Sequence, residues 1–273
     1  MKNIRLCAFA DEADNALDGQ IKALNRNGIS LLEIRGVDGQ NIKDVPHDKV
    51  KEIEKKLSAN GINTWSIGSP VGKYDPNADF DSQLESFKHI CESAHILGAK
   101  KIRMFSYFSK DTELVLKRLE ALSSAAPDDI ILCHENEKGI FGDNAECCAI
   151  IHKELPKIRA VFDPANFVQC DVDTKKAWEI LAPYVEYMHI KDALASKHVV
   201  PAGYGIGNVE YLINEYVKQG GEVLTLEPHL MEFYGLKDLE NGESMSQTPV
   251  FTDTNEAFDA GVKALKEILA RIK

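Results

Sequence analysis

Four stretches in the second half of this 273-residue chain carry titratable residues where short apolar runs end. They are Cys133-His134-Glu135-Asn136-Glu137, Phe162-Asp163-Pro164-Ala165-Asn166, His189-Ile190-Lys191-Asp192 and Leu226-Glu227-Pro228-His229. Glu135, Asp163, His189 and Glu227 are separated by 28, 26 and 38 residues, each gap about one strand-helix repeat with the last lengthened by a loop. At that interval, successive parallel strands would each offer one oxygen or nitrogen to a common point. Three carboxylates and one imidazole suit a hard or borderline divalent ion, Mn²⁺, Mg²⁺ or Co²⁺ more naturally than a thiolate-bound metal, with Zn²⁺ also admitted. Without a cation, three carboxylates in a partly dry basin repel one another and at least one tends to protonate. A lone strand-end carboxylate more often caps the next helix or pairs with a lysine, but four in register favour a metal site.

The elements that must position these residues follow from the hydrophobic pattern. Short β-branched or apolar runs alternate with longer amphipathic segments, the signature of βα units with a parallel sheet. The pattern predicts strands at Arg5 to Ala10, Leu31 to Arg35, Asn63 to Ser69, Lys101 to Tyr107, Ile130 to Asn136, Ala160 to Asn166, Val185 to Lys191 and Val223 to Pro228. Between them, Val50, Ile53 and Leu57 fall on one helical face, as do Phe80, Leu84, Phe87, Cys91 and Ala94, and Phe258, Val262, Leu265, Leu269 and Ile272. Asn27-Gly28, Asn60-Gly61, Leu97-Gly98 and Gly220-Gly221 stand just before strands, where a left-handed helix cap favours glycine. Eight strands with no Pro/Gly/Ser-rich linker and no GxGxxG near residue 10 predict an α/β fold, a single (β/α)8 TIM barrel spanning 1–273. Two long connections, 192–208 and 229–252, follow strands and therefore belong to the face where barrel active sites are built.

Composition narrows the function classes. Lys plus Arg total 32 against 43 Asp plus Glu, a formal charge of −11, which disfavours nucleic acid as a partner. No run approaches the roughly 18 apolar residues of a membrane helix, and no apolar signal core precedes Asp11 and Glu12, so no membrane partner is expected. Six cysteines without a CxxC pair read as reduced thiols, and a cytoplasmic location is the expectation.

Leu32-Glu33, Glu135-Asn136, the 162–166 run, His189-Ile190-Lys191-Asp192, the glycine-rich 201–207 stretch and Leu226-Glu227 together resemble the xylose-isomerase-like sugar isomerase and epimerase superfamily, whose barrel also hosts an endonuclease-four type of DNA repair enzyme. The resemblance covers essentially the whole chain. It implies one divalent metal ion held by Glu135, Asp163, His189 and Glu227, with Glu135 and Glu227 as the catalytic acid and base. The implied reaction is isomerisation or epimerisation of a small sugar, keto-sugar or sugar phosphate by proton transfer through a metal-stabilised enediolate. A metal-dependent inosose-type dehydratase would use the same ligands. A homodimer is compatible with the pairing common among such barrels. The chain departs from the family's ketose epimerases at Asn166, where His is common, at Ala195, where Arg is common, and at Tyr204, where Glu is frequent. The repair-enzyme reading lacks histidines on strands two and three, where Glu33 and Trp65-Ser-Ile-Gly-Ser69 stand. A barrel retained only to bind sugar has no need of three carboxylates around one point.

Substrate contacts are assigned to Glu33, Asn166, Lys191 and His229. Glu33 could instead pair with Arg35 or Arg103. Lys191 and His229 each lie two residues beyond a ligand and so return to its side of the strand, whereas His134 alternates with Glu135 and should face the helices. Phe9 and Trp65 are candidate pocket walls or core residues.

Overall fold

In the computed structural model, which describes residues 4–233 and 251–272, all eight apolar runs become parallel strands. They are β1 (Arg5–Ala8), β2 (Leu31–Ile34), β3 (Asn63–Gly68), β4 (Lys101–Met104), β5 (Ile131–Glu135), β6 (Arg159–Phe162), β7 (Val185–Ile190) and β8 (Val223–Leu226). Each strand pairs with its neighbour in sequence and β1 pairs with β8, which closes an α/β barrel. Outside lie α1 (Leu17–Arg26), α2 (His47–Ala59), α3 (Phe80–Leu97), α4 (Thr112–Ala125), α5 (Ala145–Glu154), α6 (Pro164–Gln169), α7 (Thr174–Leu181), α8 (Val209–Lys218) and α9 (Thr254–Leu269). None of the described helices is long and apolar enough to cross a membrane.

Apolar side chains at helical spacing bury themselves against the outer faces of the strands. Val50, Ile53 and Leu57 of α2, Phe87, Ile90 and Cys91 of α3, and Phe258, Val262 and Leu265 of α9 join one cluster with Leu32, Ile34, Ile102 and Leu132 of the strands. Each fully buried large side chain is worth about 1.5–3 kcal/mol relative to exposure. Leu269 and Ile272 pack only partly buried against this cluster, so the α9 stripe fades at its end. Gly98 ends α3 in the left-handed conformation at φ 70°, as its place before β4 predicts.

Several strands stop earlier than their apolar runs. β6 ends at Phe162 because Asp163 caps α6, its side chain accepting from the Asn166 amide, while Pro164 starts that helix. The residues 164–166, expected as strand, are therefore helical. β8 ends before Pro228, which has no amide hydrogen for the ladder. Beyond Met104 the chain turns to the 71–74 loop, with the Phe105 and Tyr107 amides donating to the Val71 and Gly72 carbonyls.

The barrel interior is unusually polar. Ladder register shifts between Leu32 and Glu33, leaving Trp65 as the extra residue of β3. Trp65 sits on the floor of the barrel beside Cys7, Leu31 and Val223, capped by Arg5 at 5.5 Å and Lys101 at 4.1 Å from its ring, and so is core rather than pocket wall. Phe9, by contrast, meets the His189 ring edge-on at 5.1 Å. His134 faces outward, its Nε2 2.9 Å from Ser106 Oγ. Gly68 leaves space for Phe9, since a Cβ there would come 2.5 Å from Phe9 Cε1 and 3.2 Å from Arg35 Cβ. Gly68→Ala should destabilise the fold by about 1–3 kcal/mol through overpacking. Urea unfolding checks this, and unchanged stability would contradict the packing described.

Candidate metal centre

β5, β6, β7 and β8 are consecutive staves of the barrel, so the residues at their upper ends meet. One ligand atom each from Glu135, Asp163, His189 and Glu227 lies within 4.8 Å of the others. Relative exposure is 0% for Asp163 and His189, 2% for Glu135 and 4% for Glu227. His189 Nδ1 lies 2.8 Å from Glu135 Oε1 and 3.5 Å from Glu227 Oε2. Asp163 Oδ2 is buried and accepts no hydrogen bond; the Lys191 ammonium stands 3.0 Å from it and 3.3 Å from Glu227 Oε2. Three buried carboxylates and an imidazole nitrogen converging around an oxygen that lacks a hydrogen bond fit a divalent cation by their donor chemistry.

Neither glutamate is free to turn away from that point. Arg103 Nε holds the outer oxygen of Glu135 at 3.1 Å while its Nη1 donates to the Ser69 carbonyl at 2.7 Å. Arg35 Nη1 holds the outer oxygen of Glu227 at 2.8 Å, and the same guanidinium grips Asp11 and Glu12. The main chain is locked as well. Asn136 donates to the Asp163 carbonyl and accepts from the Asp163 amide, both at 2.9 Å. The Asn166 side chain donates to the Asn136 carbonyl at 2.9 Å and reaches Glu135 Oε1 at 3.5 Å while its amide donates to Asp163 Oδ1 at 3.0 Å, so it ties Glu135 to Asp163.

Glu33 lies beneath His189, fully buried. Its Oε2 is 3.2 Å from His189 Nε2, and its Oε1 accepts from the Tyr187 hydroxyl at 2.9 Å, which Ser66 meets at 3.2 Å. The ion pair with Arg35 or Arg103 does not form, because those arginines are engaged by Asp11, Glu12 and Glu227 and by Glu135. A carboxylate behind a ligating imidazole fixes its orientation, and with the Nε2 proton on Glu33 the Nδ1 atom faces the carboxylates.

Charge explains the protonation of the cluster. Burial pushes the Asp163 carboxyl up, and Glu135 and Glu227 add to this against the pull of Lys191, taking it to about 7. Burial also opposes ionisation of Glu135, but His189 and Arg103 overcome it and hold the carboxyl below its usual range. Glu227 is held well below that range, since Lys191 and His229 outweigh the desolvation. Although burial disfavours the His189 cation, Glu135 and Glu33 raise its basicity well above the ordinary imidazole value.

Of the four expected substrate contacts, Lys191 and Asn166 therefore sit against the ligands, and Glu33 lies under them. His229 returns to the mouth with φ 46°, its amide donating to Glu12 Oε2 at 2.7 Å and its Nε2 3.4 Å from both Glu12 and Glu227. Sequence reasoning missed the arginine props. Their signal was present as charge at alternate positions of apolar strands, Glu33 with Arg35 and Lys101 with Arg103. Asp11 and Glu12 were read only as the end of an apolar stretch, yet both are buried against Arg35.

Comparison with known proteins gives the fold a family. The family model for the xylose isomerase-like TIM barrel matches residues 21–268, and the chain belongs to that family. A search of curated proteins by sequence finds no match. Among solved structures, L-ribulose 3-epimerase superposes with a TM-score of 0.76 at 16% identity, covering 99% of this chain and 95% of that one. The IolI protein with a bound zinc atom gives 0.75 at 15% identity over 99% of each chain. The probable 3-DHS dehydratase AsbF of Bacillus anthracis gives 0.71 at 14%, over 96% of this chain and 98% of that one.

Two outcomes test the centre. Below about pH 7 both Asp163 and His189 hold protons that a dication must displace, so binding of Mn²⁺ to chelator-treated protein should release about two protons near pH 6, about one near pH 8, and tighten as pH rises. Calorimetry in buffers of different ionisation enthalpy measures this; a pH-independent proton count would refute it. Glu33→Gln should weaken Mn²⁺ binding about 10- to 100-fold. An affinity equal to that of the parent chain would remove Glu33 from the role of His189 prop.

Proposed function

We propose that this member of the xylose isomerase-like family is a divalent-metal-dependent isomerase or epimerase acting on a small sugar, keto-sugar or sugar phosphate by carbon-bound proton transfer. The observation that carries the reading is the pair Glu135 and Glu227, each with one oxygen turned to the common centre near His189 Nδ1 and the other held by an arginine. Glu135, Asp163, His189 and Glu227 would hold the cation, with Mn²⁺, Mg²⁺, Co²⁺ and Zn²⁺ all within the chemistry of the donor set. A bound dication would supply Lewis-acid stabilisation of the negative charge that develops when a proton leaves the carbon next to the substrate's carbonyl.

The chain's own residues do the rest. Glu135 and Glu227 approach from β5 and β8, on either side of the β6 and β7 ligands, so one can remove a carbon-bound proton while the other returns one. Arg103 and Arg35 keep both carboxylates aimed, while His189 and Arg103 favour the ionised form of Glu135 and Lys191 and His229 that of Glu227. Burial excludes water from the cluster and strengthens each charge interaction within it. The Lys191 ammonium, fixed against Asp163 and Glu227, favours a second reading: a buried cationic donor at the site could assist a departing hydroxyl, giving a dehydratase of the inosose type. The six unpaired thiols suit a reducing, cytoplasmic setting.

Incubation of the Mn²⁺-loaded protein with ketoses in D₂O tests the proposal. Deuterium should enter at the carbon beside the carbonyl, and Glu135→Gln or Glu227→Gln should slow entry by about 10²–10⁴-fold. A product lighter by one water would select the dehydratase instead. Exchange undiminished in both variants would end the acid-base assignment.

A further inference from the structure

Barrel enzymes commonly seat a substrate's phosphate on the loops after strands seven and eight, where backbone amides and a helix start gather around it. The loop after β7 in this chain has such a nest, and the chain fills it itself. Asp192 Oδ1 accepts from the Ala193 and Gly207 amides, both at 2.9 Å, and Oδ2 accepts from Gly203 at 2.9 Å and Gly205 at 3.0 Å. The carboxylate is completely buried. Glycine permits the wrap, because a Cβ at Gly205 or Gly207 would come 2.3 or 2.6 Å from Asp192 Oδ1. Four amides that could bind an external anion are thus committed to an internal one.

The cations at the mouth are matched in the same way. Arg35 serves Asp11, Glu12 and Glu227, Arg103 serves Glu135, Lys191 serves Asp163 and Glu227, and Lys73, from the loop after β3, pairs with Glu137 at 3.1 Å. Among the described residues, each of these four positive side chains at the upper strand ends meets a carboxylate, and Arg35 and Lys191 meet more than one. A phosphoryl or carboxylate group arriving here would meet surplus acid and a nest already taken, and like charges brought together there repel one another.

We infer that the substrate is an uncharged polyhydroxy ketone, carrying neither a phosphate nor a carboxylate. The inference rests on the proposed carbon-acid reaction and narrows it from sugars and sugar phosphates to free sugars and polyol ketones. Hydroxyl groups are the ligands that carboxylates and amides in this mouth can hold without a net charge of their own.

The test compares free ketopentoses and ketohexoses with their terminal phosphates and with 2-keto acids of matching length, on the Mn²⁺-loaded protein in D₂O. kcat/KM for deuterium entry should favour the free sugars by at least about 100-fold. A phosphate ester or keto acid exchanging as well as its neutral counterpart overturns the inference and leaves the carbon-acid reaction standing. No exchange in any set removes that reaction and the inference with it. A second measurement does not depend on turnover: millimolar inorganic phosphate should leave the melting temperature of the chelator-treated protein unchanged, because Asp192 holds the nest. A rise of several degrees would show an open anion site and overturn the inference.

Discussion

Three carboxylates and an imidazole held together almost without water set the terms for everything around them. In such surroundings each unpaired charge is costly, and a pair is tolerated only with good geometry and further hydrogen bonds. The barrel keeps branched aliphatic residues such as Leu31, Val161 and Val223 in its interior and places charged and polar side chains in the layer under the cluster. Arg35, Arg103, Glu33 and Tyr187 occupy inward positions there, all of them buried. Hydrogen bonds and ion pairs run from Glu33, Arg35 and Arg103 to His189, Glu227 and Glu135, so the electrostatics of the cluster and the packing of the barrel interior are one structure.

The same economy appears in Asp163. Its Oδ1 caps α6 by accepting the Asn166 amide, and its Oδ2 faces the ligand cluster. The helix therefore fixes the carboxylate plane, and the carboxylate fixes the helix start. At the other connection, Asp192 gathers the glycine-rich loop and stands next in sequence to Lys191, whose ammonium touches two of the four ligands. Neighbouring acidic residues at strand ends thus serve different purposes according to what their oxygens meet.

Much of this was legible before any coordinates. The eight-fold alternation gave the barrel, and the near-constant interval between Glu135, Asp163, His189 and Glu227 predicted their meeting, because on parallel staves one repeat along the chain is one step around the ring. Less was legible where local and distant effects compete. Pro164 to Asn166 continue an apolar run and read as strand, yet a capping carboxylate and a proline convert them to helix. Trp65 reads equally as pocket wall or core, and its place at the floor beside Cys7, Leu31 and Val223, next to the one-residue register shift, makes it core. The partners of Glu33 were beyond reach, since Tyr187 and His189 stand more than 150 positions away and only closure of the ring unites them. The 229–252 connection expected on this face falls largely outside the described residues.

The four residues of the candidate centre all come from the second half of the chain, while the arginines that hold the outer oxygens of Glu135 and Glu227 come from β4 and the end of β2 in the first. During synthesis both guanidinium groups emerge from the ribosome before Glu135 and Glu227, and β8 with Glu227 is the last stave to appear. Until β8 docks beside β1, Arg35 can already bind Asp11 and Glu12, and Arg103 meets Glu135 once β5 lies beside β4. Of the three acids, Glu227 is the one whose arginine arrives only when the cylinder shuts, since Asp163 is served by Lys191 from the neighbouring β7.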